Sequence, residues 1–401
     1  MLDPTLEAEG LGRTDFSRAL DADWGAREPQ IADQLRGAKV LVTGAAGTIG
    51  AAAVRQLLAL RPAVLELVDV DENGLARMAR DIRSRGEGAA VALGFNALDF
   101  AGWPGLALAE AAGPFDLVLD FAAVKHVRSE KNLYTLLHML DVNVVRQRRF
   151  AERLVERGLA GRLFVVSTDK AADPASFMGA SKLLMEAAVF DAASGALTAS
   201  AARFANVAYS SGSLLESYLQ RFAARQALAA PRDTRRYFIS ARDGARICLL
   251  AQLACPPGRI AVPRFDPASG AILLADTAAA FLASRGRQAA FVETPAEAEA
   301  LLAKGGDVWP VLLTPRDTAG EKEVEVFCGA GETAEPLGLG ALEAVRPAPI
   351  DRESLRAVLA DLARFVAGER RASVADLERA IGGVLPGFRH AAAQASLDDR
   401  I

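Results

Sequence analysis

Cysteine and histidine are scarce in this chain, with three of each in 401 residues. Cys248, Cys255 and Cys328 show no metal-ligand spacing. An odd cysteine count rules out a fully paired disulfide framework and suits reduced thiols, so no metal site is expected. A basic excess is also missing: 46 Lys and Arg stand against 50 Asp and Glu, for a net charge of −4. That balance argues against a nucleic-acid partner, and short clusters such as Arg146–Arg149 read as solvated helix faces. No stretch approaches the roughly 20 uninterrupted apolar residues that a membrane span requires. The opening residues lack the basic, apolar, small-residue order of a signal peptide. The chain therefore reads as soluble and cytoplasmic. Apolar content is what it has in quantity, at 51%, enough for a large core in one or two closely joined domains. Internal repeats and low-complexity linkers are absent.

Residues 1–36 are polar, carry Trp24, and show helical patches without a strand. The first clear unit begins at Lys39. Val40-Leu41-Val42 is a short buried-strand run, followed at once by Gly44-Ala45-Ala46-Gly47-Thr48-Ile49-Gly50 and then by an amphipathic helix through Ala52, Val54, Leu57 and Leu58. A second strand, Val64–Val68, ends in Asp69. Strand, glycine-rich turn, helix, strand and acid in this order predict a dinucleotide-binding fold. The glycines admit the backbone to a pyrophosphate, whose charge meets the amides and dipole of the helix start. Gly44, Ala46, Gly47, Thr48, Ile49 and Gly50 are thus candidate cofactor residues, and Asp69 is placed to accept from the adenosine ribose. An acid there favours NAD by repelling a 2′-phosphate; Arg77 and Arg80, a few residues on, leave NADP open.

Val91-Ala92-Leu93 reads as a third strand leading to Asp99, which either touches the adenine edge or caps the next helix. Leu117–Ala123 reads as the fourth, and its small Ala122 and Ala123 can run close under a flat cofactor ring. Lys125 and His126 follow. A lone histidine is more often structural than catalytic, and Asn143, in mid-helix, is neutral surface unless it fixes a turn or a water. The fifth strand, Leu163–Val166, delivers Ser167-Thr168-Asp169-Lys170 to its carboxyl end, where ligands of doubly wound sheets bind. Met178 and Lys182 come shortly after, four apart and so on one face of a helix. Farther on, a strand over Thr198–Arg203 leads through Asn206 to the hydroxyl-rich Ser210–Ser213 loop, with Ser211 and Ser213 suited to phosphate or sugar oxygens. Arg232, Arg235 and Arg236 set cations beside Tyr237 and Phe238, a guanidinium group such as Arg236 suiting a diphosphate. Short strands and helices, Trp309–Thr314 among them, continue to about residue 349. Two helical patterns, Leu355–Val366 and Ala375–Val384, close the chain.

These observations predict an α/β protein with a doubly wound parallel sheet and a smaller carboxyl-terminal lobe. The expected divisions are a helical extension at 1–36, a Rossmann domain at 37–205, a substrate lobe at 206–350 partly interleaved with it, and a helical tail at 351–401. Helical faces near Leu136–Val145 and Met185–Val189 would either pair subunits, making a homo-oligomer, or be buried within one chain.

From about Gly37 to Gly331 the sequence resembles the extended short-chain dehydrogenase/reductases. Within them it is similar to the nucleotide-sugar 4,6-dehydratases of the CapD-like polysaccharide-biosynthesis group. The resemblance rests on Thr43–Gly50, Ala122–Val127, Ser167–Lys170, Met178-Gly179-Ala180-Ser181-Lys182 and Arg203–Val207. The first motif is shared by all such reductases. Methionine in place of the tyrosine of Tyr-x-x-x-Lys is typical of one branch of the dehydratases, a branch that often has an amino-terminal membrane region. Residues 314–322 match soluble members more loosely. The resemblance implies UDP-N-acetylglucosamine, or a GDP-linked analogue, as the nucleotide-sugar substrate, and a 4-keto-6-deoxy product. It implies Asp169 as acid for the 6-hydroxyl and Lys170 as base at C5, roles open to exchange. Thr168 would sit near the 4-hydroxyl, and Lys182 on the nicotinamide ribose. Met178 would shape the pocket, and Lys125, His126, Asn206, Ser211, Ser213 and Arg236 would bind the sugar nucleotide. An epimerase or reductase on the same fold, or a non-catalytic dinucleotide-binding scaffold, are the other readings.

Overall fold

The computed structural model describes residues 14–265, 270–315 and 326–390. The loose motif match at 316–322 lies outside them.

Six parallel strands form the frame: β1 (Lys39–Thr43), β2 (Val64–Asp69), β3 (Ala92–Ala97), β4 (Leu117–Asp120), β5 (Arg162–Val166) and β6 (Thr198–Ala202). The chain then leaves the sheet. β7 (Asn206–Val207) runs parallel to β10 (Phe238–Ile239), with β8 (Leu228–Pro231) and β9 (Arg235–Arg236) between them in sequence. It returns as β11 (Ile260–Pro263) beside β6, then leaves again for β12 (Ile272–Leu273), β13 (Gln288–Val292) and β14 (Val308–Thr314). β12 pairs with β9, and β13, β14 and β8 make a parallel three-stranded sheet. β15 (Thr333–Pro336) and β16 (Leu342–Arg346) rejoin the main sheet antiparallel, giving the order β15-β16-β11-β6-β5-β4-β1-β2-β3. The strand order reverses between β1 and β4, the switch point where such sheets bind ligands.

Thirteen helices among the described residues clothe this frame. They are α1 (Asp15–Leu35), α2 (Thr48–Leu60), α3 (Glu72–Ser84), α4 (Trp103–Ala112), α5 (Leu133–Leu140), α6 (Arg146–Glu156), α7 (Phe177–Ala192), α8 (Leu214–Ala223), α9 (Ala241–Ala254), α10 (Leu274–Ala283), α11 (Pro295–Lys304), α12 (Arg352–Val366) and α13 (Val374–Gly382). A π-helical turn, Asp141–Val145, joins α5 to α6. One face of the sheet buries Leu20 and Trp24 of α1 with Leu57 of α2 and Cys248 of α9. The other buries Phe150 and Leu154 of α6 with Met185 and Val189 of α7. Each fully buried side chain of this size contributes about 1.5–3 kcal/mol of transfer free energy.

Two strands differ from expectation, each for a local reason. β3 continues to Ala97, where the Asn96 amide donates to Glu66 on β2 (2.9 Å) and extends the pairing. β4 stops at Asp120, whose carboxylate turns back to accept the Ala122 N–H (2.8 Å) and ends the strand three residues early. The amino-terminal helix is tied to distant segments. Ser17 Oγ donates to Asp243 (3.1 Å), and Asp23 accepts the N–H groups of Gly340 (2.8 Å) and Ala341 (2.7 Å). The helical faces at Leu136–Val145 and Met185–Val189 are buried within the chain. Leu136, Met139, Leu140 and Val144 pack under Leu355, Leu362, Leu377 and Phe388, while Met185 and Val189 lie against the sheet. No helix of the described residues is long and apolar enough to cross a membrane. None of their His, Cys, Asp or Glu side chains group so as to hold a metal ion.

Candidate active site

Three loops meet at the carboxyl ends of β1, β4 and β5. The first turns on Gly44, at φ +65°, where a Cβ would stand 2.5 Å from the Phe121 carbonyl carbon. At Gly50 a Cβ would stand 2.1 Å from Gly44 O, so both positions require glycine. The turn delivers the chain into α2 with Gly47 as N-cap, which offers no side-chain acceptor. The amides of the first turn, around Thr48 and Ile49, therefore keep their capacity for an anion. Asp69 accepts the Ala46 N–H (2.9 Å) and the Asp71 N–H (2.9 Å), which locks the acid beside the loop. A carboxylate has about four acceptor positions, so Asp69 retains two for vicinal hydroxyls. Glycine approach, uncapped helix and spare acceptors fit a dinucleotide. Arg77 and Arg80 are exposed, and Arg77 pairs with Asp71.

The loop after β4 is held from two sides. Gln147 donates to Ala122 O (3.2 Å), and Asn143 clamps Val124, accepting its N–H (2.9 Å) and donating to its carbonyl (2.8 Å). Asn143 also donates to Ser181 Oγ (3.0 Å), which links this loop to α7. Asn143 is fully buried and lies in the π turn, a feature frequent at functional sites. A polar residue set among Leu140, Val144 and Val145 was the available signal for it. Ala122 and Ala123 are half-buried and unencumbered by long side chains. Lys125 is at the rim, where surrounding protein lowers its pKa and Glu216 opposes the shift. His126 is exposed, and its ring lies where a Cβ on Gly212 would sit (2.3 Å). Across the same opening the Ser211 N–H donates to Thr48 Oγ1 (3.2 Å), so the Ser210–Ser213 loop covers the glycine turn.

The loop after β5 carries the Asp169–Lys170 pair. Asp169 is 3% exposed. Its Oδ1 accepts from Thr168 Oγ1 (2.7 Å), Lys170 N–H (3.0 Å) and Lys170 Nζ (3.3 Å). Its Oδ2 is buried without a partner, as are Ser167 Oγ and, at the end of adjacent β4, Asp120 Oδ2. Buried polar atoms left open in this way call for a ligand or a water. Lys182 is fully buried on α7, its Nζ 3.3 Å from Met185 Sδ. Burial lowers its pKa to about 8, against the attraction of Asp120 and Glu186. Asp120 is shifted up by burial, opposed by its bond from Thr43 Oγ1 (2.6 Å) and other donors. Met178 is 5% exposed within an apolar cluster that includes Leu136 and Leu140, so its thioether is wall rather than reagent.

Other sequence-predicted residues are placed with less direct roles. Asp99 caps the turn before α4 by accepting the Ala101 N–H (3.1 Å), and it pairs with Arg146. Ser213 is the N-cap of α8, accepting the Glu216 N–H (3.2 Å). Asn206 sits at the start of β7 with its Nδ2 buried and unpartnered. Arg236 is buried in β9, donating to Arg235 O (2.7 Å), whereas Arg232 forms an exposed pair with Glu293.

Sequence reasoning gave no role to Glu130 and used Arg203 only as part of a motif. Glu130 is buried, and its carboxylate accepts the N–H groups of Phe177 (3.2 Å) and Met178 (2.9 Å) at the start of α7. Arg203 has no exposed surface and is bound by Glu186 (2.6 and 2.8 Å) and Glu332 (2.6 and 2.8 Å). That network lines a cavity of about 650 Å³ between α7 and the segment 346–388. None of the glycine-turn residues lines this cavity, and within its lining Arg203 pairs with Glu186 and Glu332 and Arg352 with Asp191. The strand-end cluster is instead the candidate site.

Comparison with known proteins agrees with this geometry. Residues 40–324 match the family described as polysaccharide biosynthesis protein. An uncharacterised membrane protein of Methanocaldococcus jannaschii is 28% identical over 55% of this chain and 65% of its own length. The capsular polysaccharide biosynthesis protein CapD of Staphylococcus aureus is 25% identical over 58% of this chain and 39% of its own length. The chain thus spans less than two thirds of these curated relatives. The structure of Pen from Bacillus thuringiensis superposes with a TM-score of 0.62 at 18% identity, covering 79% of this chain and 89% of that one. A Bacillus cereus UDP-glucuronic acid 4-epimerase, solved with UDP-glucuronic acid and NAD, superposes with a TM-score of 0.54 at 16% identity, covering 72% and 89%. These two share the Rossmann-type sheet. With the family model spanning the glycine turn, the Asp-Lys pair and α7 alike, this chain belongs to the polysaccharide biosynthesis protein family.

Proposed function

We propose that this chain is a nucleotide-sugar 4,6-dehydratase that holds NAD and converts UDP-N-acetylglucosamine, or a GDP-linked analogue, to a 4-keto-6-deoxy product. The observation that carries the reading is the Asp169–Lys170 pair. An acid and an amine share one strand end, and one carboxylate oxygen is buried and open. Elimination of water across C5 and C6 needs a base and an acid on neighbouring carbons. NAD, when bound, supplies the oxidation at C4 and the matching reduction at C6, so the reaction is redox-neutral overall.

The chain's own residues do the rest. The glycine turn and the amino end of α2 receive the pyrophosphate, and Asp69 accepts from the ribose. NAD rather than NADP follows from that acid. Lys182 would hold the nicotinamide ribose, and its pKa near 8 lets it exchange protons at neutral pH. Thr168, hydrogen-bonded to Asp169, would orient the 4-hydroxyl. Lys170 removes the C5 proton; Asp169 Oδ2 protonates the departing 6-hydroxyl. Lys125, His126, Ser211 and Asn206 line the opening toward the sugar nucleotide, and Arg236 serves its diphosphate.

The competing reading is an epimerase, which the Bacillus cereus likeness favours. Met178 speaks against it, because a thioether cannot exchange the proton that the family tyrosine does. Incubation with UDP-N-acetylglucosamine and no added cofactor separates the two by mass. Loss of one water, abolished in Asp169→Asn, supports the dehydratase; an isomeric product of unchanged mass supports the epimerase. Unchanged substrate with both UDP and GDP sugars would sink both.

A further inference from the structure

We infer that the carboxyl-terminal segment positions the active site, by seating His390 on Glu130 and so fixing the helix that presents Met178 and Lys182. The inference rests on the site reading above for its effect on turnover, but the latch itself is a matter of contacts. Glu130 closes the short turn that follows Lys125 and His126, and it is 4% exposed at the side chain. Both of its oxygens are used at the amino end of α7, on Phe177 and Met178. His390 approaches from the other end of the chain, its Nδ1 3.3 Å from Glu130 Oε2 in an ion-pair contact that makes no aligned hydrogen bond. Its ring lies 4.7 Å from that of Phe177, and Phe388 meets Phe177 edge-on at 5.5 Å. Its backbone N–H donates to Glu378 of α13 (3.0 Å), which anchors the histidine to the helical pair above. Burial raises the Glu130 pKa, and the Met178 and Phe177 amides, the Ser176 hydroxyl and the neighbouring His390 ring oppose that shift.

One carboxylate therefore joins three things: the rim loop carrying Lys125 and His126, the start of α7, and the tail. A capping acid with a partner on its outer side is held in one orientation. That orientation sets where the first turn of α7 begins. Met178 lies in that turn, and Lys182 projects one turn farther along. Reacting groups lose rate steeply when misplaced by about 1 Å, so a support of this kind shows in kcat before it shows in binding. His390 is a positioning residue here and touches no reacting atom.

Three variants in the full chain test this. His390→Phe keeps a ring against Phe177 and removes the nitrogen. His390→Asn keeps a donor near the Nδ1 position, and His390→Ala removes both. Amide hydrogen exchange at Phe177 and Met178 is read by mass spectrometry, alongside kcat and KM for UDP-N-acetylglucosamine. In the Phe and Ala variants exchange at these amides should rise about tenfold. In the same variants kcat should fall on the order of tenfold with KM held within about twofold. The Asn variant should recover part of both. Exchange in His390→Phe equal to wild type, or equal losses in the Phe and Asn variants, would overturn the latch. Should wild-type protein show no turnover on this sugar, the functional reading fails, while the exchange data still decide the contact.

Discussion

Lys182, on α7, and Arg203, just past the end of β6, are both basic side chains taken out of water, and the molecule treats them oppositely. Arg203 is saturated. Two carboxylates and the Phe327 carbonyl meet its donors, and although burial pulls its pKa down, the pairing raises it further. Lys182 has a thioether at 3.3 Å and two more distant acids, and burial prevails. Asp120, one of those acids, keeps an unpartnered buried oxygen, as do Ser167 and Asp169 at the end of the neighbouring strand. The contrast teaches how to tell a structural charge from a working one. A buried charge whose partners are complete holds the fold together, whereas one whose neighbours keep spare valence is poised for something not yet bound.

The comparison breaks most sharply at Asp169. Asp169→Asn should lower kcat by about 10²–10⁴-fold, the usual worth of a general acid, with thermal unfolding nearly unchanged; a normal rate in a folded variant would remove Asp169 from the mechanism. Arg203→Met should do the reverse. It strands Glu186 and Glu332, a loss of about 3–5 kcal/mol for one half of a buried pair, read as a lower midpoint in urea. The surviving folded protein should keep most of its activity.

Lys182 offers a pH test of the same idea. Its folded pKa is about 8 against an ordinary 10.5. The charged form is thus penalised in the fold: the cost is complete below pH 8 and is relieved as pH rises from 8 to 10.5. The stability of Lys182→Met relative to wild type should therefore decline over that interval, by on the order of 3 kcal/mol at most. A flat difference curve would mean that the lysine is not desolvated. The smallest effect belongs to a residue with no charge at all. Ser176 caps α7 through the Gly179 N–H (3.2 Å), and Ser176→Ala should cost about 1 kcal/mol, measurable by chemical denaturation.

Local chemistry was legible in the sequence, and pairing at a distance was not. The glycine turn, the acid at the end of β2 and the Asp169–Lys170 pair each announce themselves within a few residues, because turn geometry and strand ends are local matters. Asp120 looked like one more strand residue, because nothing nearby tells that its side chain turns back onto Ala122. Arg203 signals only that a buried cation needs an acid; that Glu332, 129 residues on, would be one of them is a fact of topology. Glu130 is hidden for the same reason, since its use depends on where α7 begins and where residue 390 lands. The last two helices were predicted as helices, yet their task of covering Leu136, Leu140 and Leu184 depends on packing that periodicity does not specify.

The tie between Asp23 and the Gly340–Ala341 amides has a consequence for how the protein is made. The bonded residues are 317 and 318 positions apart. At about 5–20 residues per second, a ribosome delivers the second partner roughly a quarter of a minute to a minute after the first. α1 emerges long before α9, which is made only in the later part of that interval, and before β16, which follows at its end. β6 likewise waits for β11, and β11 for β16, so the growing sheet presents a bare, pairing-competent edge to the cell. A nascent chain of this design spends most of its synthesis unable to close, and its yield in the cell should track holdase availability more than the stability of the finished fold.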